Sequence, residues 1–338
     1  MNRSNSVKPS GSLFWLGAIV VMAVSSTALA QYTETSLVTT TQDSRLANAW
    51  GLAYSGTNPF WIANEASGFS TVYDADGTIV PLAVTVPSAT TGAGTPTGIV
   101  ANTTAGFVIH QNGLSGPAAF IFDTLDGTIS AWNSSVNPTS AVIVINNNGK
   151  ANYQGLTIAT AGTQTFLYAA NSAKNQIEQY NSSFHLVRTF TDPALTGLRV
   201  YGVQAIKGKI YVTFRGKTGA AVDVFGTGGV LLKTLTSNGT AGPLKGPWAV
   251  AMAPSNFGVH SNALLIGNVD DGKINCFNPS TGAFLGTLKD KTGKALVNPG
   301  LWGLVFGGGS TNNGNTNQLF LAAGTGGYVT GLFAVINP

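Results

Sequence analysis

The sequence predicts an all-β fold, a six-bladed β-propeller with four strands in each blade, and three observations predict it. Charged residues make up only 9% of the chain, and 43 of its 338 residues are glycine, which suits short strands and tight turns better than long surface helices. A motif in which a small residue precedes an apolar run occurs six times. Further short apolar runs follow each copy, and four strands in a repeat of about 50 residues are typical of a propeller blade.

Residues 1–30 are predicted to be a signal peptide. Arg3 and Lys8 give them a positive start, and an unbroken apolar run follows from 13 to 24. Residues 28–30 read Ala-Leu-Ala, the pattern that signal peptidase cleaves. As a helix the apolar run spans about 18 Å, short of the roughly 30 Å hydrocarbon core. We therefore expect export to the periplasm or the cell exterior, and a mature domain, 31–338, without a transmembrane span.

The first strand of each unit is predicted from the repeated motif. Three of the five steps between successive small residues are 47 residues long, and the other two are 57 and 54. The small residues of the six motifs are, in order, Gly51, Gly98, Gly155, Gly202, Ala249 and Gly303. The longest step is explained by a loop insertion at 102–117, which is rich in Gly, Asn and Ser.

The second and third strands of each unit are predicted from shorter apolar runs. The second runs lie at 60–63, 120–122, 166–169, 210–212, 264–266 and 319–321. The third runs lie at 71–73, 128–132, 177–180, 222–225, 274–277 and 332–335. Dipeptides that favour a positive φ separate many runs, as a hairpin requires. They are Asp76-Gly77, Asp126-Gly127, Gly228-Gly229, Asp271-Gly272 and Thr281-Gly282.

The fourth strand is present in five units and missing from the sixth. A strand-like segment, residues 36–39, precedes the first motif and has no unit of its own. We expect this segment to serve as the outer strand of the last blade, which would close the ring and remove an open sheet edge.

Longer strings of the repeat resemble a known family. They are NAWGLA at 48–53, DGTISAWN at 126–133, GPWAVA at 246–251 and LLIGNVDDGKI at 264–274. They resemble a family of exported bacterial proteins of unknown function that is related to NHL-type six-bladed propellers. The resemblance covers nearly the whole mature chain. It implies export and a propeller fold, and it brings no established activity.

Composition excludes several kinds of partner. Without Arg3 and Lys8 the 17 basic residues fall to 15, against 13 acidic ones, and no block of five like charges occurs. The chain therefore encodes neither a nucleic-acid surface nor a polybasic membrane patch. The single cysteine, Cys276, lies in a strand-like run, where a small buried hydrophobe is expected. We expect a monomer.

Motifs for catalysis are scarce. The three histidines, His110, His185 and His260, form no H-E-x-x-H pair, and no G-x-S-x-G turn occurs. The first functional hypothesis is therefore a non-enzymatic binding or scaffold module, which needs no cofactor and whose ligand is a protein, a small molecule or a carbohydrate.

Polar residues at the ends of second strands support a second hypothesis. Equivalent positions in a closed ring surround its axis, and oxygen ligands suit a hard cation such as Ca²⁺. The candidate ligands are Asn64, Glu65, Asp123, Asn171, Asn268 and Asp270. A metal there would make the protein a hydrolase of the lactonase or esterase type. The alternative is that these side chains cap turns, as Asn and Asp commonly do.

Three tryptophans and one arginine are candidate ligand-binding residues. Trp50, Trp248 and Trp302 each precede the small residue of a motif, and Arg215 follows the second run of the fourth unit. The aromatic rings are expected either to line a mouth that stacks on flat ligands or to wedge between neighbouring blades.

Overall fold

The computed structural model describes residues 1–2, 4–6 and 32–338. The predicted signal peptide and its cleavage site fall almost entirely outside these residues. Residues 32–338 form six four-stranded antiparallel sheets and one separate hairpin. The innermost strands contact one another in sequence order, and the sixth returns to contact the first. The predicted six-bladed propeller is thereby confirmed.

The first three blades follow strand β1 (Thr33–Thr39). Blade 1 comprises β2 (Ala49–Ala53), β3 (Phe60–Asn64), β4 (Phe69–Tyr73) and β5 (Ile79–Thr85). Blade 2 begins with β6 (Pro96–Ala101), is interrupted by the hairpin of β7 (Val108–Gln111) and β8 (Leu114–Pro117), and continues with β9 (Phe120–Thr124), β10 (Thr128–Trp132) and β11 (Val142–Asn146). Blade 3 comprises β12 (Tyr153–Ala161), β13 (Gln164–Asn171), β14 (Gln176–Tyr180) and β15 (Leu186–Phe190).

The last three blades complete the ring. Blade 4 comprises β16 (Arg199–Ile206), β17 (Lys209–Gly216), β18 (Gly219–Gly226) and β19 (Leu231–Gly239). Blade 5 comprises β20 (Pro247–Met252), β21 (Leu264–Asn268), β22 (Ile274–Phe277) and β23 (Phe284–Thr287), with a 3-10 turn at Gly258–His260. Blade 6 comprises β24 (Leu301–Phe306), β25 (Leu319–Ala323) and β26 (Leu332–Asn337), with the helical turn α1 (Thr325–Tyr328) before β26. Among the described residues, no helix has the length and apolarity that crossing a membrane requires.

Strand β1 closes the ring, as predicted. It pairs antiparallel with β26, from Thr33 opposite Asn337 to Thr39 opposite Leu332. The register shifts between Ser36 and Val38. The sixth sheet therefore has the order β1-β26-β25-β24, and its outer strand comes from the opposite end of the chain.

The glycines of the predicted hairpin turns have the positive φ that the sequence led us to expect. Gly77 has φ 89°, Gly127 has φ 86° and Gly272 has φ 67°. The predicted insertion at 102–117 differs from a plain loop, because it contains the β7–β8 hairpin and buries Phe107. The Phe107 N–H donates to the Ser182 carbonyl oxygen at 2.7 Å, which ties the insertion to blade 3.

The core lies between adjacent blades and around the axis. Trp61 of blade 1 stacks on Phe120 of blade 2 at 4.3 Å between ring centroids, and Phe60 packs on Phe320 of blade 6 at 4.4 Å. On the axis, every blade contributes the apolar residue that follows its small residue. These six residues are Leu52, Ile99, Leu156, Val203, Val250 and Leu304. They leave a cavity of only about 30 Å³, so the middle of the channel is filled.

Candidate functional site

One end of the channel is capped by aromatic side chains. We call this end the mouth; it is where the innermost strands begin and the second strands end. Trp50 and Trp302 stack there with ring centroids 3.4 Å apart and planes 14° apart. Trp248 meets both rings edge-on, at 6.1 Å from Trp50 and 6.0 Å from Trp302. Tyr201 packs edge-on against Trp302 at 5.9 Å.

The three tryptophans thus lie together above the filled channel rather than apart between neighbouring blades. Trp50 is 5% exposed and Trp302 is 4% exposed, so their stacked faces are covered mainly by each other. The face of Trp302 is therefore not open to a ligand, whereas Trp50 also contributes to the wall of a cavity beside the cluster.

Hydrogen bonds orient two of the indoles. The Trp302 Nε1 donates to Asn48 Oδ1 at 3.0 Å, and Asn48 Nδ2 in turn donates to Glu65 Oε2 at 2.7 Å. The Trp248 Nε1 donates to the Gln154 carbonyl oxygen. The Trp50 Nε1 is buried and has no acceptor among the described residues. Glu65, a predicted metal ligand, is therefore engaged in positioning the aromatic cap.

The cavity beside the cap has a volume of about 410 Å³. Its walls combine aromatic, amide and guanidinium groups. The lining residues are Trp50, Leu125, Asn152, Gln154, Ser172, Arg199, Val200, Tyr201 and Arg215. The two charged groups among them are both cationic, so the cavity favours an anion.

The first arginine of this cavity is held by an aromatic ring and a weak ion pair. The Arg215 guanidinium carbon lies 4.4 Å from the centroid of the Tyr201 ring, a cation–π distance, and Nη1 also donates to the Tyr201 hydroxyl. Its carboxylate partner, Asp270, is 3.8 Å away and half exposed, so water screens this pair strongly. Burial raises the pKa of Tyr201, which keeps the ring neutral.

The second arginine is held by the backbone. Arg199 Nη1 donates to the carbonyl oxygens of Ser172 at 3.0 Å and Ala173 at 3.4 Å. Arg199 begins β16 and stands opposite Arg215 on β17. Among the described residues no carboxylate lies within ion-pair distance of Arg199. Its guanidinium group therefore retains donors for a ligand.

Another part of the wall is a fixed network of amide and hydroxyl groups. Ser172 Oγ and Gln154 Nε2 both donate to Asn152 Oδ1 at 2.7 Å, and Asn152 Nδ2 donates to the Leu125 carbonyl oxygen at 2.9 Å. These bonds lock the polar wall before any ligand arrives, which reduces the entropic cost of binding.

The predicted metal ligands occupy two kinds of position. Three of them are equivalent: each pairs with the residue that begins the innermost strand of its own blade. They are Asn64, Asn171 and Asn268, and Arg215 has the same position in blade 4. Asp123 lies one residue earlier and bonds to β6, the first strand of its own blade. Its Oδ1 accepts from Thr97 Oγ1 at 2.7 Å and from the Gly98 N–H at 2.6 Å, and burial raises its pKa to about 6.

Most of these side chains already bond to their own turns. Asn64 Nδ2 donates to the Phe69 carbonyl oxygen at 3.2 Å and to Thr71 Oγ1 at 2.9 Å. Asn268 Nδ2 donates to Asp271 Oδ1 at 3.0 Å.

The remaining predicted ligands also have partners. Asn171 Nδ2 donates to Glu178 Oε1 at 2.9 Å, and Asp270 faces Arg215. Across residues 1–2, 4–6 and 32–338, no group of three His, Cys, Asp or Glu side chains is arranged to hold a metal ion. The amide N–H groups cap turns, whereas Asn64 Oδ1, Asn268 Oδ1 and Asp123 Oδ2 have no hydrogen-bond donor among the described residues. The Ca²⁺ site therefore stays a prediction.

Sequence reasoning identified Arg215 and missed Arg199, Asn152 and Ser172. A signal for Arg199 was present, because the two ends of a β-hairpin face each other. In the fourth unit, Arg199 lies just before the first-strand motif, and Arg215 lies just after the apolar run of the second strand. These two strands form the hairpin in which Arg199 pairs with Arg215. Asn152 and Ser172 belong to blade 3, and only the closed ring brings them beside blade 4.

Comparisons with known proteins show relatives without an assigned role. No protein-family model matches the chain. It is similar to the uncharacterised protein R648 of Acanthamoeba polyphaga mimivirus, with 27% identity over 87% of this chain and 76% of that protein. It is also similar to the uncharacterised protein L690 of the same virus, with 28% identity over 78% of this chain and 74% of that protein.

These relatives correct the bacterial origin that the sequence strings implied. The relatives found are viral proteins, and the expected assignment to a bacterial family is wrong. The physical reason is that the strings are blade motifs. They encode a close-packed inner strand and its hairpin, which report the fold and not the host.

Solved structures confirm the fold. A streptogramin B lyase superposes with a TM-score of 0.55 and 11% identity, covering 92% of this chain and 99% of that one. A PQQ-bound aldose sugar dehydrogenase from Streptomyces coelicolor gives a TM-score of 0.53 and 13% identity, covering 91% of this chain and 99% of that one. At such low identity the similarity shows the propeller architecture alone.

Proposed function

We propose that this protein is an exported, non-enzymatic binding propeller that takes a small anionic ligand with a flat apolar part at the mouth. The observation that carries the proposal is the pair of facing arginines, Arg199 and Arg215, on a cavity of about 410 Å³. Ligand sites of this volume are typical of small molecules.

The chemistry of the walls defines the ligand. Guanidinium groups match carboxylate and phosphate oxygens with paired N–H donors. Tyr201 and Trp50 are 4% and 5% exposed, so only their edges add an apolar surface beside those donors. These edges favour a ligand with a small aromatic or cyclic body. The lining residues include no carboxylate, imidazole or thiol, so binding is favoured over acid–base or nucleophilic chemistry at this cavity.

Calorimetric titration with phenyl phosphate, benzoate and inorganic phosphate tests this function. We expect phenyl phosphate to bind more tightly than inorganic phosphate, because only its ring contacts the aromatic wall. The double variant Arg199→Gln/Arg215→Gln should bind phenyl phosphate at least about tenfold more weakly, since charge-assisted hydrogen bonds are lost.

Lys209→Gln is the matched control, because Lys209 is exposed at the opposite end of β17 from Arg215. It should leave the affinity for phenyl phosphate unchanged. Equal affinities of the double variant and the unmodified protein would refute the mouth as the binding site. Thermal unfolding of each variant verifies that the fold is retained.

A further inference from the structure

A second, larger cavity lies at the opposite end of blade 3 from the mouth. Its volume is about 640 Å³, within the range of small-ligand sites. The turn between β12 and β13, the end of β14 and the start of β15 form it, together with the insertion of blade 2. None of its residues belongs to the mouth site.

The lining is rich in hydroxyl and amide groups that make few internal hydrogen bonds. Asn181 Oδ1 accepts from the N–H groups of Ser183 and His185, each at 3.0 Å, which fixes the amide. Its Nδ2 donates to no described residue, and the hydroxyls of Ser182 and Ser183 also lack partners within the described chain. Gln179 is 3% exposed, and its Oε1 has no donor among the described residues.

One cation and one aromatic ring complete the cavity. Arg188 on β15 is exposed, and no carboxylate of the described chain lies within ion-pair distance of it. Phe166 on β13 is half-buried and lines the same cavity. No Asp, Glu or Lys is among the lining residues, so the cavity carries a single positive charge in an otherwise neutral polar surface.

We propose that this cavity binds an acidic sugar residue of a glycan. A sugar ring offers several hydroxyls, which both donate and accept, and the Asn181 amide and the serine hydroxyls complement them. A sugar carboxylate fits the planar guanidinium of Arg188 with paired hydrogen bonds. The apolar face of the sugar packs on the Phe166 ring.

The test is calorimetric titration of the protein with trigalacturonate, a hyaluronan tetrasaccharide and, as the neutral control, maltotriose. We expect at least one acidic probe to bind at millimolar concentration or better, and maltotriose to bind more weakly. Arg188→Gln should weaken the acidic probe about tenfold. The mouth variant Arg199→Gln/Arg215→Gln should bind it unchanged.

Three results would overturn the proposal. The first is that neither acidic probe binds, and the second is that maltotriose binds as tightly as the acidic probe. The third is that Arg188→Gln leaves the affinity for the acidic probe unaltered. If the mouth variant abolishes binding and Arg188→Gln does not, the acidic sugar is a ligand of the mouth instead. Because Arg188 is exposed, its replacement leaves the core intact, which unfolding of the variant checks.

Discussion

At the scale of single residues, the repeated small residue of the motif has a spatial cause. A Cβ on Gly51 would lie 2.7 Å from the Thr97 carbonyl oxygen, and one on Gly303 would lie 2.6 Å from the Trp50 carbonyl oxygen. At these two positions the innermost strands approach so closely that there is no room for a side chain. The fit is looser in the third and fifth blades, because a Cβ on Gly155 would make only ordinary contacts and the fifth blade carries Ala249. The sequence predicted the motif and its period, whereas the cause depends on contacts between blades.

Gly202→Ala should therefore destabilise the protein. The new Cβ would overlap the Trp248 carbonyl oxygen of the next blade, and overpacking of this kind costs about 1–3 kcal/mol. Gly228→Ala is the matched control, because no atom lies within 4 Å of its Cβ position; it should change stability by less than about 0.5 kcal/mol. Urea unfolding measures both, and equal midpoints would contradict the close-approach account.

Asn64→Ala distinguishes turn capping from metal binding. Asn64 is fully buried, and its amide bonds to Phe69 and Thr71. Its loss should cost about 1–3 kcal/mol by leaving buried polar groups unpaired. If the side chain caps a turn, this cost is the same in EDTA and in millimolar Ca²⁺. If it binds a metal, Ca²⁺ raises the unfolding midpoint of the unmodified protein and not that of the variant.

At the scale of elements, hairpins were predictable and contacts between blades were not. Turn dipeptides identify neighbouring strands, because a hairpin is local and its glycines need a positive φ. The proximity of Asp223 on β18 to Asp192, which follows β15 of the preceding blade, has no local signal. Burial of Asp223, with the nearby charge of Asp192 adding to it, raises the pKa of Asp223 to about 7.

This shift predicts a pH dependence for the packing of blade 4 on blade 3. The ordinary pKa of an aspartate is 3.8, so the folded protein keeps the Asp223 proton at pH values where the unfolded chain has lost it. The associated stability is fully present below about pH 4 and is lost as pH rises to about 7.

Asp223→Asn should remove the loss of stability that the ionisation of Asp223 causes as pH rises. We expect the thermal midpoint of the variant, measured relative to that of the unmodified protein, to be a few degrees higher at pH 8 than at pH 5. Other titrating groups are common to both proteins and cancel in the difference. A difference independent of pH would show that Asp223 does not carry this titration.

At the scale of the whole molecule, closure joins the two ends of the domain. The sequence predicted the closing strand from an unassigned apolar run, and the structure confirms it. Closure also brings blades 1, 5 and 6 together, which lets Trp50 stack on Trp302 and Trp248 pack edge-on against both. The sequence placed these rings at equivalent positions, but their mutual contacts follow from the number of blades.

Val38→Asp should weaken the closed ring. Val38 is 1% exposed and belongs to the core cluster that includes Phe333, so an unpaired charge there should cost about 3 kcal/mol or more. Ser36→Asp is the control on the same strand, because Ser36 is exposed. Urea unfolding should separate the two variants, and similar midpoints would mean that β1 contributes little to closure.

A crystal structure of the protein with phenyl phosphate would show whether the mouth is the ligand site, because it locates the ligand without an assumption about its affinity. We expect the phosphate oxygens between the guanidinium groups of Arg199 and Arg215, with the phenyl ring against the exposed edge of Tyr201. A phosphate bound at Arg188 and absent from the mouth, or a mouth that excludes the ligand at saturating concentration, would contradict it.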